Sequence, residues 1–355
     1  MLPLTMACGG NEETSYRARY ELEGLEVFAY DHDIVCGGLL QHLEAENLRI
    51  QELIGAPSTY PVEVHLGHRA TELICQVDLD VDGCAARIQE VNFAVGPTRS
   101  IAHELVHAQR QQISEWRKPS FLEEGLAETA SIGPLHGLNA LSSRTRDLAS
   151  ALELDVRDME LEDRLDAAHF VYWLSEAFGW DATIAMFSDE SDDAVAVVEK
   201  HFGDSLTSLR QRWNDETEAE VRVAAACDHV PILELRDEGL DFEVEMDCSL
   251  PTVTGPSSLD GVELMSSRVC FDVVDGTHTT VHVEGEAGVT NLRLQPLTGT
   301  CSTVEGFPTA SREKRISSDA PADAVFGACR WRADIDTELN HPGSVRVRII
   351  PADPG

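Results

Sequence analysis

The chain has 355 residues, 43% of them hydrophobic, enough for two or three globular domains with buried cores. Its 63 acidic residues against 27 basic ones give a net charge of −36. That balance argues against nucleic acid and anionic lipid surfaces as partners, because either needs a basic face. The acidic residues are spread along the chain, as on a solvated surface suited to salty surroundings.

At the N-terminus, Met1-Leu-Pro-Leu-Thr-Met-Ala-Cys8-Gly-Gly resembles the tail of a bacterial lipoprotein signal, in which a small residue precedes a lipid-bearing cysteine. Only seven residues precede Cys8, fewer than a charged region and an apolar segment need, so a natural start further upstream is expected. The other account is a plain disordered N-terminus. Residues 1–14 are read as a truncated signal or lipid-anchor region with a flexible linker, and Cys8 as the one route to a membrane. Nine cysteines are present without a Cys-x-x-Cys pair, a pattern that fits disulfides in an oxidising compartment. With Cys8 set aside, three cysteines precede residue 225 and five follow it. If all eight pair, at least one bridge crosses between the halves, with Cys227 a candidate staple.

From residue 15, alternation predicts strands at Tyr16-x-Ala18-x-Tyr20 and Leu25-x-Val27-x-Ala29, then a helix within Ile34–Ile54 and a strand over Pro61–Leu66. His65 and His68 read as surface or packing residues. Asp78-Leu-Asp80-Val-Asp82-Gly83 matches the start of a calcium loop, but the closing glutamate position holds Gln89. An acidic turn is the better reading. Ala86–Val95 reads as one strand, and Gly96-Pro97-Thr98 as a turn with Thr98 capping a helix.

That helix carries the pattern His103-Glu104-x-x-His107. Two histidines four apart project from one helix face, so both imidazoles can reach one metal ion, with Glu104 beside it as a base. Ile101, Leu105 and Ala108 fall at helical spacing and are expected to face a core. A catalytic zinc takes a third protein ligand and keeps a fourth position open. The next segment, from Ser120 to Glu128, supplies carboxylates. Ser120 and Glu123 form a capping-box pattern, which occupies Glu123 and leaves Glu124 as the freer ligand. Glu128, four residues on, can accept the other ring N–H of His103 and fix its tautomer.

His103-Glu104-x-x-His107 followed by Glu124-Gly125-x-Ala127-Glu128 resembles the gluzincin clan of zinc metallopeptidases, to which thermolysin and the zinc aminopeptidases belong. The resemblance implies His103, His107 and Glu124 as ligands of one catalytic Zn2+, Glu104 as general base and Glu128 as support for His103. Here Glu123 stands where the clan often has Asn, and the gap between ligands is short. The resemblance also implies that a strand upstream of the zinc helix pairs with an extended peptide substrate. Downstream, Ala168–Trp180 reads as one continuing helix. It is similar to the helices that close such sites, which makes His169 and Tyr172 candidates to stabilise the oxyanion. A packed aromatic helix is the other account.

Residues 98–225 read as helical almost throughout. After residue 226 the composition shifts to Val, Thr, Gly and Asp, with period-2 runs such as Thr280–Glu284 and Ser344–Ile349 and turn signals at Asp260-Gly261 and Asp275-Gly276. The expected fold class is therefore α+β. A gluzincin-like catalytic domain (15–225), with a small mixed sheet and a helical half, precedes an all-β sandwich (226–355) of seven or eight strands. His278 and His282 lie too far apart along one strand to chelate readily.

The function expected is hydrolysis of peptide bonds in a peptide or protein substrate by an exported zinc metallopeptidase, with Glu104 activating a zinc-bound water. It would be lipid-anchored in the bacterial cell envelope, at the outer membrane, or secreted. The alternative is a non-catalytic peptide- or surface-binding lipoprotein that keeps the peptidase scaffold. Glu104 beside intact ligands favours catalysis, because a binding protein has no need of that base.

Overall fold

The computed structural model describes residues 16–56, 61–75, 83–88, 90–98, 100–114, 118–131, 147–216, 227, 230, 232–236, 238–259, 262–274, 277–285, 289–296, 314–316, 322–326, 328–340 and 342–351. The described residues form a mixed α+β structure. Cys8, the acidic run at 78–82 and both Asp-Gly turn signals lie outside them, as does the side chain of His278.

Strands β1 (Ala18–Leu22) and β2 (Leu25–Ala29) form a hairpin whose turn uses Gly24 at φ 74°. Helix α1 (Gly37–Ile54) ends at Gly55, which adopts φ 62° and returns its N–H to Gln51 and Glu52 carbonyls. Strand β3 (Val62–Leu66) follows, then a single helical turn α2 (His68–Ala70) that runs into π-helical Thr71–Cys75. The expected single strand at 86–95 is instead two, β4 (Cys84–Ile88) and β5 (Val91–Gly96), folded back antiparallel. The connection carries no glycine or proline to announce it. The sheet order is β1-β2-β3-β5-β4, with β2, β3 and β5 parallel and the outer strands antiparallel.

One face of this sheet buries Val27, Ala29, Val62, Val64 and Ala94 against Leu39, Leu43 and Ile50 of α1 and against Ile101, Leu105 and Ala108 of helix α3 (Ile101–Ile113). The apolar stripe of α3 thus lies where the helical spacing put it. The opposite face holds Phe28, Tyr30 and Val95. There His65 stacks on Phe28 with ring centroids 4.9 Å apart, its nitrogens meeting Tyr30 Oη and Glu63. His65 is a packing residue, and His68 is exposed.

Helices α4 (Ser120–Ala130), α5 (Leu148–Leu152), α6 (Leu161–Phe178), α7 (Trp180–Ser188), α8 (Ala194–Phe202) and α9 (Leu206–Glu216) complete this half. The expected continuous helix from 168 to 180 breaks at Gly179, whose φ of 88° ends α6 and starts α7. Neither expected cap forms. Thr98 Oγ1 donates instead to Pro256 O at 2.7 Å, and α4 begins behind Pro119 with no side-chain cap.

The remaining strands are β6 (Ile232–Leu235), β7 (Leu240–Met246), β8 (Val253–Leu259), β9 (Val262–Val273), β10 (Thr277–Gly285), β11 (Val289–Pro296), β12 (Lys314–Ile316), β13 (Ala322–Phe326), β14 (Arg330–Glu338) and β15 (Gly343–Pro351). These ten exceed the seven or eight expected. They build one sheet in the order β13-β10-β15-β7 and another in the order β12-β11-β14-β9-β6, with β8 also on β9. The period-2 runs fall on β10 and β15, which pair antiparallel. Both sheets contribute to one apolar cluster around Phe271, Phe326 and Trp331.

Disulfides join Cys36 to Cys248, Cys75 to Cys84 and Cys227 to Cys270, and Cys329 is also disulfide-bonded. One bridge does cross between the halves, but it is made by Cys36. Cys227 pairs within the two-sheet half. Such bonds persist in oxidising surroundings. Among the described residues no helix is long and apolar enough to cross a membrane.

The start of α1 is seated in the two-sheet half. Cys36 belongs to its apolar cluster, Cys36 N–H donates to Gly255 O, and Gly37 N–H donates to Cys248 O. A Cβ on Gly38 would fall 2.5 Å from Val253 O and 2.6 Å from Pro251 O, so this close approach requires glycine.

Candidate metal centre

Helix α3 presents His103 and His107 one turn apart, their ring centroids 4.8 Å apart and Nε2 atoms separated by 3.1 Å. Glu124 on α4 meets both, with Oε2 3.2 Å from His103 Nε2 and Oε1 3.4 Å from His107 Nε2. Tetrahedral zinc with ligand bonds of about 2.0–2.1 Å requires donors roughly 3.3 Å apart. The three observed separations match that spacing, and His103, His107 and Glu124 offer ligand atoms all within 4.8 Å of one another. The donor set therefore fits a zinc ion held by three protein groups. Their side chains retain 12–17% exposure, so a small molecule can reach them.

Behind the donors, Glu128 Oε1 lies 3.1 Å from His103 Nδ1. This contact places the proton on Nδ1 and leaves the Nε2 lone pair for a metal. Burial opposes protonation of His103, but its contacts with Glu124 and Glu128 outweigh that and hold the imidazole well above its ordinary value. Burial alone would raise Glu124, yet hydrogen bonds from His103 and His107 keep it well below the usual carboxylate range. Glu128 is lowered in the same way, by His103 against burial. Glu124 and Glu128 therefore both hold their negative charge against burial, at the imidazole they share.

Glu104 is buried beside the histidines. Burial raises its proton affinity, the charges of His103 and His107 counter this, and the balance leaves it above the ordinary glutamate value. A carboxylate so tuned is a stronger base. Gly83, at the head of β4, lies directly against it: a Cβ there would sit 2.8 Å from Glu104 Oε1. The disulfide to Cys75 pins the next residue, Cys84. Among the described strands β4 is the sheet edge on the side of this site.

Arg110 ties α3 to α4 and α7. Arg110, one turn beyond His107, donates from Nη2 to Glu123 Oε1 at 3.2 Å and to Phe187 O at 2.9 Å. Glu123 also accepts the Lys118 N–H at 2.7 Å. Glu123 is thus engaged near the helix start, as the capping pattern implied, but through different partners. Gly125 then lets α4 approach α6, because a Cβ would fall 2.5 Å from Ala167 O.

His169 is the packed-helix residue rather than an oxyanion donor. Only 2% exposed, it accepts the Trp213 indole N–H at Nδ1 over 2.8 Å, and a buried ring so held does not line an accessible cleft. Tyr172 is half-buried three residues further on. From α6, Arg164 does reach this group, with Nη1 3.9 Å from Glu124 Oε2. No local pattern announces it, since it stands among Glu160, Glu162, Asp163 and Asp166 in an acidic helix start. Comparison with protein-family models and with curated proteins returns no match to this chain.

Proposed function

We propose that the chain is a zinc-dependent peptidase whose catalytic half has the gluzincin arrangement and whose second half is a β-sandwich module. The observation that carries this reading is the convergence of His103, His107 and Glu124 at zinc-ligand spacing, with Glu128 behind His103. A divalent ion held there supplies Lewis acidity toward a peptide carbonyl and toward water.

Glu104 takes a proton from the attacking water and delivers it to the leaving amine nitrogen. Its raised proton affinity suits both transfers. Glu128 keeps His103 in the tautomer that presents Nε2. Strand β4, the edge of its sheet among the described strands, is where the main chain of an extended peptide would add a strand. Gly83 keeps that edge close to Glu104. The substrate is accordingly a peptide or protein, and the net charge of −36 argues against nucleic acid. The disulfides support export, with Cys8 as the point of lipid anchoring to the bacterial envelope.

The test is metal analysis together with turnover of casein and a peptide library, wild type beside Glu104→Gln. Both proteins should carry about one zinc per chain, and turnover should fall about 10²–10⁴-fold in the variant. Zinc without turnover in the wild type would return the chain to a peptide-binding role.

A further inference from the structure

The proposed hydrolysis needs a donor for the negative charge that develops on the scissile carbonyl oxygen, and His169 is not available for it. Arg164 has the required position and freedom. It lies in the first turn of α6, and its side chain is 39% exposed where Glu124 beneath it is 12% exposed. It therefore spans from the metal centre to solvent. Its one ion pair among the described residues is with Glu124, at 3.9 Å. That distance is too long for a hydrogen bond, so the five guanidinium N–H donors are not committed there. Its charge also acts on Glu104 and Glu128, which places it within electrostatic reach of the whole group. In a chain with 63 acidic and 27 basic residues, a cation that is neither buried nor tightly paired at this spot stands out.

Resting on the peptidase reading, we propose that Arg164 is a catalytic residue whose guanidinium donates to the carbonyl oxygen of the scissile peptide. Water oxygen bonds to the carbonyl carbon and the C=O π pair moves onto oxygen, where Arg164 meets it. The pair then returns, the C–N bond breaks, and nitrogen receives the proton Glu104 took from water. The products are one carboxylic acid and one amine, and Arg164 stays charged throughout.

The experiment compares wild type, Arg164→Gln and Arg164→Lys by three measurements. These are zinc affinity against a chromogenic chelator, kcat and KM on one peptide, and binding of a phosphinic peptide whose anionic oxygens mimic the tetrahedral state. Binding of the neutral parent peptide is measured in the Glu104→Gln background with and without Arg164→Gln. Arg164→Gln should keep zinc affinity within about threefold and lose kcat by about 10²-fold. Phosphinic-peptide affinity should fall in parallel while parent-peptide affinity holds, and Arg164→Lys should fall between the two. Zinc affinity that collapses, with turnover restored at saturating zinc, would reduce Arg164 to a support for Glu124. Loss of parent-peptide binding or a raised KM at constant kcat would make it a ground-state contact, and unchanged values throughout would also overturn the proposal. A wild type that neither turns over peptides nor binds the phosphinic probe would instead fail the peptidase reading itself.

Discussion

Two clusters of buried charge, one in each half of the molecule, are built in opposite ways. In the two-sheet half, Asp334 lies 2.8 Å from Arg268 Nε and 2.9 Å from Arg332 Nε, and Asp336 accepts from Ser266 Oγ at 2.6 Å. Burial pulls Arg332 down to about 10, yet it stays a cation beside its carboxylate. In the helical half, Glu104, Glu124 and Glu128 surround two imidazoles, and among the described residues the guanidinium paired with them, that of Arg164, stands back at 3.9 Å. A charge set that closes on itself ties strands together, whereas one left acidic suits the cation proposed for it. That contrast separates scaffold from site without reference to any motif.

The sharpest way to break the contrast is to neutralise one acid in each half. Glu124→Gln should cost more than about 10²-fold in zinc affinity, beyond the loss typical of a supporting residue. Asp334→Asn should leave zinc binding unchanged but cost about 3–5 kcal/mol in chemical denaturation, because it leaves the buried Arg332 without its carboxylate. If both variants moved zinc affinity equally, the division between scaffold and site would be wrong.

A second, smaller pair tests glycines. In Gly125→Ala the new methyl meets Ala167 O and Val171 Cγ2, so α4 must shift away from α6. About 1–3 kcal/mol of stability should be lost, as in other overpacked sites, and zinc titration should show weaker binding because Glu124 moves with the helix. Gly239→Ala, at φ 99° and against Ile349 O, should lower stability while leaving the zinc isotherm untouched.

The smallest effect concerns His65. Burial holds it below its ordinary value of about 6.5, against the pull of Glu63. The folded chain therefore stays neutral there while the unfolded chain takes up a proton. Its contribution to stability is present above about pH 6.5 and is lost as pH falls through the lowered folded value. Urea midpoints at pH 7.5 and 5 should diverge more for wild type than for His65→Gln, and equal divergence would contradict this.

What could be read in advance was local. The i,i+4 geometry of His103 and His107, and the spacing of Glu124 and Glu128 on the next helix, follow from helix periodicity alone. Strands β1, β2 and β3 announced themselves by alternation. The turn between β4 and β5 did not, because it lacks the residues that mark a hairpin. Thr98 looked like a cap until Pro256, 158 residues away, claimed its hydroxyl. The counts of cysteines implied a crossing bridge if all eight paired, but could not name Cys36 as its origin. Arg164, Gly83 and the Arg110–Glu123 pair act through distant partners, and nothing in their neighbours on the chain reveals that.

The seating of α1 has a consequence for any attempt to cut the molecule in two. Carbonyls of residues 248 and 255 serve the amides at positions 36 and 37, the thiol of Cys36 is spent on Cys248, and α1 lies against the helix that bears both histidines. A fragment ending near residue 225 would expose those amides and that sulfur to water beside the helix that carries His103 and His107. The strand-rich half is thus part of the foundation of the helical one, and the pair should melt together.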